Sequence, residues 1–259
     1  MDQKLILILL TYYNRPILVR NALNSIIKAN VYHQNWKLVF GDDASPHPGE
    51  PIVKEILADH LDKVQFIRRE ATVEEKVKSG ITLGSYGNEI LKNTDAEIIV
   101  TLNDDDELEP KYLSNLNYFL TKHPEVLYCY SNIHLYNPLF QKSEEVDNIT
   151  GHYNQYSGPI NCSGKCDGSQ VAWRISCNKD YGVWFAENTL DDNNMPWLKN
   201  TDSDFFEKLY DKCGPAYCSG FISQYKGIHD YQLVWYKKAT PDVLREHIDK
   251  INKLAGEIL

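Results

Sequence analysis

Four short apolar runs, each followed by a stripe of apolar residues at helical spacing, constrain this chain more than any other feature. Leu5–Tyr12 is continuous and apolar, and Asn14-Arg15-Pro16 then supplies a turn with proline placed for a first helical turn. Ile17, Leu18, Ala22, Leu23, Ile26 and Ile27 follow at the spacing of one helix face. Lys37–Gly41 reads as a second strand, with loop formers across Asp42–Gly49 and a helix marked by Ile52, Ile56 and Leu57. Val64–Ile67 is a third strand, Leu83–Leu91 a helix, and Glu97–Leu102 a fourth strand. A polar loop, Asn103–Glu109, precedes a helix opened by Pro110 and running through Leu120. Strands alternating with helices of this length predict an α/β fold with a mostly parallel sheet covered on both faces.

The texture changes after about Val126. Strands at Val126–Ile133 and Gln170–Ile175 are separated by the long polar stretch Tyr136–Lys165, and an insert of that length in a compact domain usually serves function. The chain ends in a predicted helix, Pro241–Leu259, with Leu244, Ile248, Ile251, Ala255 and Ile258 along one stripe. Its mixed charges favour docking on its own domain or on a second copy over lying on a membrane. The 259 residues are read as one domain: a half spanning 1–120, a half spanning 121–240, and the terminal helix 241–259.

Charge and cysteine content narrow the partners. With 27 basic and 36 acidic residues the formal charge is −9, which argues against nucleic acid, because binding a phosphate backbone relies on a basic face. The run Leu5–Leu10 is too short to span a bilayer and lacks a small-residue cleavage site, so no targeting or transmembrane segment is predicted. The six cysteines (129, 162, 166, 177, 213 and 218) form no CxxC pair, and free thiols in a reducing, cytoplasmic setting are expected. A metal or disulfide pair at Cys162 and Cys166 is the alternative. Peripheral attachment at the cytoplasmic membrane face is also compatible with this pattern.

The acids are placed unevenly. Asp42-Asp43 follows the second strand and Asp104-Asp105-Asp106 the fourth, where open parallel sheets bind ligands. Three adjacent carboxylates repel one another unless a cation lies among them, and Mg²⁺ or Mn²⁺ is a hard ion suited to oxygen ligands. The competing reading is a solvated loop whose acids cap the helix opened by Pro110. Position relative to the sheet favours the metal.

Three segments carry a family likeness. Leu9-Leu10-Thr11-Tyr12-Tyr13-Asn14-Arg15-Pro16, Phe40-Gly41-Asp42-Asp43-Ala44-Ser45 and Thr101-Leu102-Asn103-Asp104-Asp105-Asp106-Glu107-Leu108 resemble, in order, the first strand and turn, the nucleotide-binding segment and the DxD metal motif of the family 2 glycosyltransferases. Within that family the likeness is to the spore-coat polysaccharide glycosyltransferases. The resemblance implies a GT-A fold: a Rossmann-like, mostly parallel central sheet flanked by helices, with a smaller mixed sheet on the acceptor side. It also implies a nucleotide-diphosphate sugar donor, with UDP favoured, and a saccharide or glycan acceptor. Carried over by position, Thr11 and Asp43 contact the base and ribose, Asp104 faces the ribose, and Asp105 holds the ion, with Asp106 as the alternative ligand. Asn103 departs from the motif, since many members carry its first aspartate there. Lys76 and Lys78 occupy a stretch where the family often has a basic residue near the base or phosphates; solvated surface lysines are the plainer reading.

The later segments extend the likeness. Transfer with inversion requires a base for the acceptor hydroxyl. Thr201-Asp202-Ser203-Asp204-Phe205-Phe206 is similar to the family's run containing that base, which puts Asp202 in the role; a helix N-cap is the competing reading. Asp167, in the segment Cys166–Arg174, is implied in binding sugar hydroxyls, against a simple turn aspartate beside Gly168. His229, in Lys226-Gly227-Ile228-His229-Asp230, is implied as a metal or diphosphate partner. Tyr153, Tyr156, Trp173, Trp184 and Trp197 supply aromatic surface for a saccharide or for the core, and Trp173 is taken as a sugar-binding candidate. The expectation is a metal-dependent, inverting glycosyltransferase. A non-catalytic saccharide-binding descendant is one competitor. A Mg²⁺-dependent phosphohydrolase or nucleotidyltransferase is another, disfavoured because no GxxxxGK[ST] loop is present.

Overall fold

The computed structural model describes residues 2–70, 83–136, 157–185 and 201–227. Lys76, Lys78, His229, Tyr153, Tyr156, Trp197 and the terminal helix expected over 241–259 lie outside them.

The parallel half is built from β1 (Ile6–Tyr12), β2 (Trp36–Asp42), β3 (Val64–Arg68) and β4 (Ile98–Asn103), with α1 (Leu18–Asn30), α2 (Glu50–Ile56) and α3 (Leu83–Asn93) in the crossovers. A continuous apolar strand suits a position covered on both faces, and β1 is buried along almost its full length. Its alternate side chains divide the interior into two layers. Ile6, Ile8 and Leu10 pack with α1, α2 and α4 (Tyr112–Lys122), while Leu7 and Leu9 face α3 and α6 (Thr201–Cys213). In α1 the stripe Leu18, Val19, Ala22, Leu23, Ile26 and Ala29 is buried, as its helical spacing predicts.

Among the described residues one sheet of eight strands runs in the order β3-β2-β1-β4-β7-β6-β8-β5. The later strands are β5 (Glu107–Leu108), β6 (Tyr128–Tyr136), β7 (Val171–Arg174) and β8 (Tyr217–Gly227), with the short helix α5 (Ser176–Lys179) after β7. β7 is antiparallel to both β4 and β6, β8 is parallel to β6, and β5 is antiparallel to β8. The mixed strands expected on the acceptor side therefore continue the parallel half edge to edge through the β4–β7 pairing. No strand was expected over 217–227. Its pattern is masked by polar residues, by Gly220 at φ 75°, and by two register shifts against β6 between Tyr130 and Ile133. A bulge inserts an unpaired residue and breaks the two-residue period on which a strand is recognised.

Register fixes where a ligand can lie. Thr11 sits beside Gly41 of β2 and Asn103 of β4, so the three parallel strands end level and release the chain on one edge. Among the described residues no helix is long and apolar enough to cross a membrane.

Candidate active site

Two loops leave that edge side by side. After β1 the chain turns through Asn14 at φ 50°, and after β2 through Ala44 at φ 57°. Left-handed backbone at a non-glycine residue costs about 1–3 kcal/mol and persists where its surroundings hold it. Here the loops hold each other. The Asn14 N–H donates to Ser45 Oγ at 3.0 Å, Asn14 Oδ1 accepts from the His47 N–H at 3.2 Å, and the Tyr12 hydroxyl donates to the His47 carbonyl at 3.0 Å. Asp42 braces the second loop: its carboxylate accepts from the Ser45 and Gly49 N–H groups and from Arg68 Nη1 at 2.7 Å. Asp43, next along and also buried, lies 3.6 Å from Arg69 Nη1. Thr11, half-buried at the end of β1, completes the rim on which the base and ribose contacts were expected.

The acid cluster stands on the neighbouring strand end. Asp104 accepts from the Tyr13 N–H through Oδ2 and from Arg15 Nη1 through Oδ1, each at 2.8 Å. The same Arg15 nitrogen lies 2.8 Å from Asp105 Oδ2, so one guanidinium spans both carboxylates. Burial alone would lower the basicity of Arg15, but Asp104, Asp105 and Asp106 outweigh it and hold the group charged. Asp106 is fully buried at 0% exposure and accepts from the Asn103 side-chain amide at 2.9 Å. It is the most enclosed of the three acids, Asp104 being 4% and Asp105 5% exposed. Asn103, the departure from the motif, is what holds it there. The acids do not cap the following helix: α4 has no side-chain cap, and it is Glu109 that accepts from the Lys111 N–H.

The third wall comes from the turn before β7. Asp167 Oδ1 accepts from the Ser169 N–H at 3.1 Å and the Ser169 hydroxyl at 2.7 Å, while Gln170 Oε1 accepts from the Asp167 N–H, closing a capping box. Asp167 thus has the hydrogen bonds of a turn aspartate, which leaves its expected part in sugar binding open to test. The turn is pinned to β4 and β8. Thr101 Oγ1 donates to the Gly168 carbonyl at 2.8 Å, and Gln224 Nε2 donates to the carbonyls of Thr101 and Ser169. Asp202 lies in the first turn of α6 with its carboxylate against this turn: a Cβ on Gly168 would meet Asp202 Oδ2 at 2.7 Å. The structure brings Thr11, Asp43, Asp104, Asp105, Asp167 and Asp202 to the strand-end side of the sheet.

Trp173 is corrected. It is 1% exposed, its ring centroid lies 5.0 Å from that of Phe205 and 6.0 Å from that of Phe185, and its indole N–H donates to Asn178 Oδ1. β7 is covered on both faces, with Ala172 in one apolar layer and Trp173 in the other, so the indole offers no face to a sugar. The six cysteines are free thiols, with no disulfide between Cys162 and Cys166. Sequence reasoning missed Arg15, which it took only as part of a turn. The available signal was a basic residue just after β1, one strand over from three consecutive acids.

A parallel β3-β2-β1-β4 core with acids at its carboxyl edge, extended by mixed strands, is the GT-A architecture that the sequence led us to expect. Residues 7–175 match glycosyl transferase family 2, and the chain belongs to that family. No curated protein matches it significantly. Among solved structures it is similar to S. aureus TarS 1-349 in complex with UDP-GlcNAc, at 16% identity and a TM-score of 0.65, covering 96% of this chain and 70% of that one. Against the longer S. aureus TarS structure the identity is 15% and the TM-score 0.60, with 95% and 42% covered. It is also similar to the mannosyltransferase PcManGT from Pyrobaculum calidifontis in complex with GDP-Man and Mn²⁺, at 13% identity and a TM-score of 0.56, covering 100% and 74%. At such identities the likeness is one of fold.

Proposed function

We propose that this glycosyltransferase moves a sugar from a nucleoside-diphosphate donor, with UDP favoured, to a hydroxyl of a saccharide or glycan acceptor, with inversion and with the help of a divalent ion. The observation that carries this reading is the pair Asp104 and Asp105 at the end of β4, with Asp202 against the Gly168 turn tied to the same strand. The UDP-GlcNAc bound in the TarS structure, and the GDP-Man and Mn²⁺ in that of PcManGT, support a donor of this class.

The residues fit Mn²⁺ or Mg²⁺ in a particular way. Among the described residues no group of three His, Cys, Asp or Glu converges as a metal-binding set. A hard ion held by one or two carboxylates needs the rest of its shell from phosphates and water, which is how Mg²⁺ is commonly bound. Asp105 is the leading ligand, with Asp104 beside it and His229 as a further partner. When bound, the ion would supply Lewis-acid stabilisation of the departing diphosphate.

The chain's own groups do the rest. Thr11, Asp43 and Asp104 orient base and ribose, Lys76 or Lys78 meets the phosphates, and Asp167 borders the sugars. Asp202 accepts the proton of the attacking hydroxyl, so that the acceptor oxygen reaches the anomeric carbon from the face opposite the diphosphate. The test is a hydrolysis panel across UDP-, TDP-, GDP- and CMP-sugars with and without Mn²⁺, followed by transfer with the preferred donor. Asp202→Asn should lower transfer roughly a hundred- to ten-thousand-fold with nucleotide affinity unchanged. Near-normal transfer by that variant overturns the assignment of the base, and hydrolysis of no donor overturns the enzyme.

A further inference from the structure

The acid cluster already contains a cation. Arg15 Nη1 lies 2.8 Å from both Asp104 Oδ1 and Asp105 Oδ2, between the two carboxylates that the proposed reaction assigns to ribose and ion. A divalent ion and a guanidinium nitrogen cannot share that position: the like charges repel and the carboxylate oxygens are already committed. Asp104 is held by its second oxygen to the Tyr13 N–H, so the strand-end acid is fixed and the arginine side chain is the part able to swing. The arginine is also incompletely served where it stands, since its Nε is buried and makes no hydrogen bond. A planar fork with a spare donor is matched to phosphate oxygens, which can take two parallel N–H groups at once.

We propose that Arg15 is a positioning residue that guards the acid pair: it occupies the gap between Asp104 and Asp105 until a nucleoside diphosphate draws it away, so the divalent ion enters with the donor rather than ahead of it. This rests on the reading of the site given above. It assigns the chain an order of binding and a reason for it. The free protein keeps its buried carboxylates neutralised, and the diphosphate exchanges one cation for another while gaining the guanidinium as a partner.

The test is Mn²⁺ binding to the full chain by electron paramagnetic resonance, with and without UDP, and with GDP in parallel. The wild type should bind Mn²⁺ weakly alone and at least about tenfold more tightly with the diphosphate. Arg15→Gln, with its fold checked by circular dichroism, should bind Mn²⁺ alone about tenfold more tightly than the wild type and lose most of the diphosphate's effect, while Arg15→Lys, which keeps the charge but not the fork, should still bind Mn²⁺ weakly alone and gain less from the diphosphate than the wild type. Unchanged or weaker Mn²⁺ binding by Arg15→Gln overturns the guard while leaving the transferase standing. If the wild type binds Mn²⁺ in no condition, the metal-dependent reading fails and the guard with it. Should Arg15→Gln not fold, the wild-type Arg15 Nε–H resonance decides. It should hold still with Mg²⁺ alone and move with Mg²⁺ plus UDP; any other result overturns the proposal.

Discussion

Gly168 shows how much one missing methyl group can decide. Its carbonyl accepts from Thr101 Oγ1, and the Asp202 carboxylate lies 2.7 Å from where a Cβ would go. Gly168→Ala should therefore push Asp202 aside without unfolding the turn. If Asp202 is the base proposed above, we expect kcat to fall by about tenfold or more, because a misplaced base loses its alignment with the acceptor. Donor affinity should change little, and steady-state kinetics separate the two. Gly49 is the structural counterpart: a Cβ there would lie 2.5 Å from the Phe40 ring and 2.8 Å from Tyr12. Gly49→Ala should cost about 1–3 kcal/mol through overpacking, read as a lower urea midpoint. At this scale the sequence was legible where chemistry is local. Adjacent carboxylates such as Asp104 and Asp105 announce themselves, whereas Arg15 matters only because two loops distant in sequence emerge on neighbouring strands. Trp173 was misjudged for the complementary reason: an aromatic residue looks the same in sequence whether its side of the sheet is open or, as on both faces of β7, covered by other elements.

Elements held by single buried polar groups carry the pH dependence. The His33 Nε2 lies 3.0 Å from the Lys4 carbonyl and 3.1 Å from that of Asn35, tying the chain before β1 to the chain before β2. Burial lowers its pKa below the usual 6.5, more than the two carbonyls raise it. A histidine kept neutral in the folded state takes up its proton more readily when unfolded. Its contribution is therefore complete above about pH 6.5 and is lost as pH falls towards the lower folded-state value. The melting temperature should decline over that window, and His33→Gln should flatten the decline, as thermal melts at a series of pH values would show. Regular elements such as β1 and α1 were readable because one periodicity governs each. β8 was not, since its polar residues satisfy distant partners: Ser219 bonds Ser131, and Gln224 reaches Thr101 and Ser169.

At the scale of the molecule, the described residues form two apolar layers on one sheet. Ile98, Val100 and Leu102 of β4 belong to one layer and Ile99 to the other, so neither can be lost without exposing the strand between them. Variants retaining only Trp36, in the first layer, or only Trp173, in the second, should each show a urea midpoint that coincides with their far-ultraviolet circular dichroism. Separate midpoints would mean that the layers come apart. The net charge of −9 acquires a location at this scale, because part of it is concentrated where three parallel strands end.

β4 is also a seam. On one side it meets β1 in parallel register, and on the other it meets β7 running the opposite way through only three residue pairs, Ile98 with Arg174, Ile99 with Trp173 and Val100 with Ala172. Backbone pairing of that kind asks little of side-chain identity beyond burial. A lineage could therefore exchange everything beyond the seam while the parallel strands and the acids at their ends stayed as they were.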